Sequence, residues 1–176
     1  MSQLKTAVGP DDHTQGPLDA PIVLLEYGDY ECPYCGEAYP ELKAVQKAMG
    51  DSLCFAFRNF PLGNAHPHAE RAAEFAEAAA TIGRFWEMHD ALYEHQDELD
   101  DDSLVRHAKR LGLDDALIES ALRGAFATQI RRDFTGGVRS GVNGTPSLFI
   151  NGRRYDGPRD AESLVTLFRD ALTRQR

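Results

Sequence analysis

Cys32-Pro33-Tyr34-Cys35 sets two thiols with two residues between them, just after the apolar run Ile22-Val23-Leu24-Leu25-Glu26-Tyr27 and at the head of a helical pattern. A thiol at a helix N-terminus faces unpaired backbone N–H groups and the positive end of the dipole, so its thiolate is stabilised. A second thiol one turn later can close a disulfide with it, and such a pair suits thiol–disulfide exchange. Cys32, at the exposed mouth of the helix, is then the attacking thiol, and Cys35, one turn deeper, the resolving one. Pro33 and Tyr34 cap and flank the pair and bring no charge. The rival reading is half of a zinc site. Structural zinc takes four ligands, and the one remaining cysteine, Cys54, leaves no second pair. His66 and His68 flank Pro67, but no spacing rule brings them to the thiols, so a surface capping role is expected for them and no metal.

Glu26 is the one acid in that apolar run. A carboxylate in such a strand is costly to bury unless neutral or paired, and burial would raise its pKa towards the working range of an acid–base group. The alternative is that Glu26 points into a polar rim with Arg58 nearby. Cys54 lies beside Phe55 and Phe57 in the next apolar run and reads as a small core residue. The acidic run Asp97-Glu98-Leu99-Asp100-Asp101-Asp102 lacks calcium-loop spacing and reads as a solvated loop and helix cap.

The elements that must hold these groups follow from the pattern. Residues 9–20 read as loop, with Thr6-Ala7-Val8 as a short edge strand before them. Residues 22–28 suit a central strand covered on both faces. A helix begins at the motif, with Cys32 as cap and Pro33 first, and Gly50 stops it. Leu53-Cys54-Phe55-Ala56-Phe57 is the next strand, ended by Arg58-Asn59-Phe60-Pro61. Residues 66–140 read as nearly continuous helix in five segments, one capped by Asp102 and one by Asp114, with Phe85, Trp86 and Tyr93 as core. They are expected to form one bundle over the active-site face. Asn151-Gly152 between two short apolar runs marks a hairpin, and a last helix capped by Asp160 carries Leu164, Val165, Phe168 and Leu172.

That order, with Glu26-Tyr27-Gly28-Asp29-Tyr30-Glu31-Cys32-Pro33-Tyr34-Cys35, Arg58-Asn59-Phe60-Pro61-Leu62 and Gly141-Val142-Asn143-Gly144-Thr145-Pro146-Ser147-Leu148-Phe149-Ile150, resembles the DsbA family of disulfide oxidoreductases. The likeness runs from about Gln15 to about Leu172. Glutaredoxins share the CPYC tetrad but lack a helical insertion of this size. The resemblance implies an α/β fold: a thioredoxin-like domain from residues 1–62 and 141–176, with an inserted helical domain at 63–140. It implies a cis-proline at Thr145-Pro146 facing the thiols, where the backbone would pair with a substrate strand. The plainer reading is that Pro146 merely starts a strand. It also implies that Glu26 is a buried acid that takes the Cys35 proton. Catalysis is thus expected from Cys32, Cys35 and Glu26, and substrate binding from Pro33, Tyr34, Thr145 and Pro146. No cofactor is expected beyond the redox-active Cys32–Cys35 disulfide.

The expected partners are proteins or small molecules bearing thiols or disulfides, and a redox partner that recycles the pair. A net charge of −9 speaks against nucleic acid, and no run approaches a membrane span. Met1-Ser2-Gln3-Leu4-Lys5 lacks the apolar core of a signal peptide, so a cytoplasmic place is expected, although a chain relieved of its signal would begin the same way. Oxidase, reductase and isomerase directions stay open. So do two rivals: a metal-binding or chaperone-like module, and a glutathione-linked transferase or isomerase of the same architecture, which generally has serine for the attacking cysteine.

Overall fold

Two apolar runs form the middle of the sheet. In the computed structural model, which describes residues 2–174, β2 (Ile22–Gly28) pairs in parallel with β3 (Leu53–Asn59), Ile22 opposite Leu53 and Gly28 opposite Asn59. Residues 1, 175 and 176, the ends of the expected thioredoxin-like part, lie outside the described residues. β1 (His13–Gln15), β4 (Ser147–Ile150) and β5 (Arg153–Tyr155) complete a sheet of order β1-β3-β2-β4-β5, all their pairings antiparallel. β2 is therefore central, and every residue of β3 is buried, the apolar run Leu53–Phe57 and the polar Arg58 and Asn59 alike.

Side chains alternate across this sheet. Ile22, Leu24, Leu53, Phe55 and Leu148 pack against α1 (Pro33–Met49) and a C-terminal helix, Ala161–Arg174. Leu25, Tyr27, Ala56 and Phe149 face the other way, towards Leu4, Val8 and Phe134. Between β3 and β4 come α2 (Ala69–Ala80), α3 (Phe85–Glu94), α4 (Asp101–Arg110), α5 (Asp115–Leu122) and α6 (Ala127–Arg139), so the C-terminal helix is α7. The hairpin turns at Asn151-Gly152, and Asp160 accepts from Ser163 N–H at the head of α7.

Three expectations need correction. Thr6-Ala7-Val8 is not a strand; β1 lies instead within the expected loop. The reason is Arg58, whose guanidinium binds the Thr6 and Ala7 carbonyls and pairs with Asp12 at 2.7 Å, while Val8 turns inward as apolar filling. Asp100, not Asp102, caps α4: its backbone is extended and its carboxylate accepts from Ser103 N–H at 3.1 Å. Asp101 and Asp102 then fall in the first turn, where the dipole favours them. The inserted helices also do not form one bundle on one face. Residues of α2–α5 pack together with Tyr30, Cys32, Cys35 and Phe57. Phe134 of α6 lies across the sheet, stacked on Phe60 at 4.2 Å.

Candidate active site

The site is built where β2 hands over to α1. Cys32 is the N-cap in extended conformation (φ −68°, ψ 121°), Pro33 is the first helical residue, and Gly50 closes the helix at a positive φ of 51°. Cys32 and Cys35 are free thiols. Cys32 is only 3% exposed, so it does not stand at an exposed mouth. Tyr30 and the inserted helices pack around both sulfurs, leaving Pro33 and Tyr34 as the exposed rim; Tyr34 is 61% exposed.

The two thiols differ sharply in acidity. The hydrogen bond from Cys35, helped by the Thr145 side chain and the N–H groups of Cys35 and Tyr34, outweighs burial and lowers Cys32 to about 5. Burial, the hydrogen bond to Cys32 and the charges of Glu26 and Cys32 push Cys35 well above an ordinary thiol. As a thiol, Cys32 donates through Sγ to the Thr145 carbonyl at 3.4 Å. As a thiolate it can only accept, and the buried Thr145 hydroxyl, with no partner among the described residues, is a donor at hand. The Thr145–Pro146 peptide bond is cis.

Glu26 lies on the α1 side of β2 and is 2% exposed. Burial first, and the charge of Cys32 second, raise its pKa to about 8 against a smaller opposing effect of Arg159. Its Oε1 is buried without a hydrogen-bond partner among the described residues. The polar-rim alternative is not what is found, because Arg58 sits on the opposite face with Asp12 and the Tyr27 hydroxyl. Cys54 is fully buried, and burial raises its thiol too.

Three residues beyond the expected set hold this geometry. Asp29, 1% exposed, accepts from the N–H groups of Glu31 (2.8 Å) and Cys32 (3.2 Å) through one oxygen. Its other oxygen takes the Leu62 N–H and His66 Nδ1, each at 2.8 Å. Gln96 donates through Nε2 to the carbonyls of Tyr30 (2.9 Å) and Cys32 (3.0 Å). Asp29 carries a local signal, an Asx-type acceptor three residues before the amide it binds. Gln96, beyond α3, carries none. His66 is drawn to the motif rather than capping a surface, while His68 gives only its backbone N–H to Glu31.

The family model described as Thioredoxin matches residues 9–170. The chain belongs to that family. Among solved structures, BdbD from Bacillus subtilis superposes with a TM-score of 0.81 at 23% identity, covering 92% of this chain and 93% of that one. A thioredoxin-like oxidoreductase from Silicibacter pomeroyi gives 0.79 at 24% identity, covering 96% and 94%. Wolbachia pipientis α-DsbA1 gives 0.81 at 17%, covering 96% of each. The likeness takes in sheet and inserted helices together, so the fold is the DsbA-like one. Among curated proteins the chain is 45% identical over 177 residues to Na(+)/H(+) antiporter NhaA 3 of Salinispora tropica, covering 98% of this chain and 27% of that protein. An antiporter NhaA 1 of Salinispora arenicola is 46% identical, with 92% and 25% covered. The chain thus spans about a quarter of the length of the curated relatives it matches. No helix among the described residues is long and apolar enough to cross a membrane.

Proposed function

We propose that the protein is a thiol–disulfide oxidoreductase working through Cys32 and Cys35. The observation that carries this is the placement of two free thiols on the first turn of α1, Cys32 at its N-cap with Sγ 3.4 Å from the Thr145 carbonyl and Cys35 buried one turn on, an arrangement that splits their acidities. The Cys32 thiolate attacks one sulfur of a substrate disulfide; that S–S bond breaks, its other sulfur leaves as a thiolate, and a Cys32–substrate disulfide forms. Cys35 then gives its proton to Glu26 and attacks Cys32 Sγ, releasing the second substrate thiolate and closing Cys32–Cys35. The opposite direction retraces these steps. Once Cys32 is in the mixed disulfide, the negative charge that helps raise Glu26 is gone, so Glu26 ionises more readily at the step that needs a base. Thr145, Pro146, Pro33 and Tyr34 form the rim against which the substrate strand lies.

For the direction, the lowered thiolate supports an oxidising poise. A pKa near 5 lies between about 7 for thioredoxin and about 3.5 for DsbA, and a stabilised thiolate favours the dithiol form. This supports a pair more oxidising than thioredoxin, whose potential is about −270 mV. Equilibration with glutathione measures this, and a potential at or below thioredoxin's would overturn it. The same measurement bears on the expected cytoplasmic location, since a pair with a potential above the cytosolic glutathione poise would be held reduced there. A second reading concerns the partner. Relatives named as Na(+)/H(+) antiporters contain a stretch like this chain within a longer protein, which favours a membrane antiporter as the client of the pair. Cys35→Ser should trap it as a mixed disulfide in membranes, and adducts formed only with other proteins would count against it.

A further inference from the structure

His66 is left unused by the exchange mechanism. It lies in the loop between β3 and α2, with a side chain 20% exposed, and its Nδ1 is 2.8 Å from the fully buried carboxylate of Asp29. The same carboxylate binds the Cys32 N–H at 3.2 Å, so one acid ties the imidazole to the cap of α1. Glu31 adds a second clamp, accepting from His68 N–H at 2.6 Å. The leading charges acting on the ring are those of anions: Asp29, which it touches, the Cys32 thiolate at the cap of α1, and Glu31 in the turn ahead of it. Burial opposes the imidazolium, but the Asp29 hydrogen bond and these charges prevail, and the ring's pKa is raised.

We propose that His66 is a positioning residue for exchange: its imidazolium, seated on Asp29, favours the ionised Cys32 and so shifts the pair towards the dithiol. The inference rests on the exchange reading above. With Nδ1 donated to the carboxylate, Nε2 is the nitrogen that gains and loses the proton. No bond to sulfur is required; the effect acts through charge.

Linkage makes the effect reciprocal. Reduced protein carries the thiolate and oxidised protein does not. The His66 ring, followed by NMR in the unmutated protein, should therefore titrate roughly half a unit to one unit higher in the reduced form. His66→Gln should raise the Cys32 thiolate pKa, read by ultraviolet absorbance, by the same amount. It should also lower the equilibrium preference for dithiol about threefold to tenfold, or roughly 15–30 mV. His66→Lys should restore the acidic thiolate and remove its pH dependence around neutrality. Identical His66 titrations in the two redox states, or an unmoved thiolate in His66→Gln, would overturn the proposal; the first test stands even if the variants do not fold. Insulin reduction by the unmutated protein separates the two readings. Its absence defeats the exchange function, whereas turnover with an unresponsive ring defeats only the role of His66.

Discussion

Glu26→Gln tests the physics of the site most directly, because it replaces a buried acid by a neutral group of the same shape. Burial and the nearby thiolate raise Glu26 from 4.5 to about 8 in the folded protein. In the unfolded chain it ionises at the ordinary value. Below about 4.5 both states hold the proton and the acid costs nothing through ionisation; from there to about 8 the unfolded chain holds fewer protons, so stability falls as pH rises. Above about 8 both states are ionised and the penalty is constant. At about 1.36 kcal/mol per unit, the penalty near neutral pH is roughly 3 kcal/mol. Glutamine cannot ionise, so the stability gap between variant and wild type should widen by that amount from acid to neutral pH, equivalent to about 6–12 °C in Tm. The unsatisfied amide adds an offset that does not depend on pH, so the slope is the readout. Urea unfolding of the reduced proteins across this window measures it. The variant should also release mixed disulfides more slowly near neutral pH. A gap that stays flat with pH refutes the buried-acid account, and wild-type release rates at every pH refute the proton-transfer role.

Cys32→Ser should abolish insulin turnover, whereas Cys35→Ser should accumulate mixed disulfides at Cys32, visible by mass spectrometry; adducts on Cys35 in the first variant would reverse the two roles. Gln96→Ala removes both donors to the Tyr30 and Cys32 carbonyls and should cost roughly 1–3 kcal/mol in urea unfolding, with slower attack by a loosened cap. Gly137→Ala would set a methyl group 2.8 Å from the Phe60 ring and 3.0 Å from Tyr27, rings that are both buried, and should lower stability by roughly 1–3 kcal/mol without changing the Cys32 thiolate.

What could be read from the sequence divides by range. The central strand, the helix capped at Cys32 with Pro33 behind it, the Asn151-Gly152 hairpin and the Asp114 cap are set by neighbours within a few residues, and each lies where the pattern puts it. The N-terminal segment did not follow its pattern because a distant guanidinium overrode it: Arg58 takes the Thr6 and Ala7 carbonyls that a strand would have used. The face chosen by α6 was hidden for a similar reason. Its register is fixed by Phe134 meeting Phe60 and by Asp133, whose carboxylate receives the Asn59 N–H at 3.0 Å, contacts that no periodicity reveals.

The site shows the same division. Its reacting groups are local to one another, but what tunes them comes from elsewhere in the chain. Thr145 reaches Cys32 from 113 residues away, Gln96 from 64, and His66 reaches Asp29 from 37. The CPYC tetrad contains no charged residue, so the largest influences that lower Cys32 are the backbone and thiol of its own turn together with Thr145, to which the proposed His66 effect would add. The high pKa of Glu26 likewise needs both the central position of β2 and the sulfur above it. Each of these two groups is charged most easily when the other is not. On the proposed mechanism, the acid is kept neutral while Cys32 waits as a thiolate and becomes available as a base when that thiolate has been consumed. The coupling orders the two proton events of exchange without any moving part, and it follows from where one glutamate falls in an apolar strand.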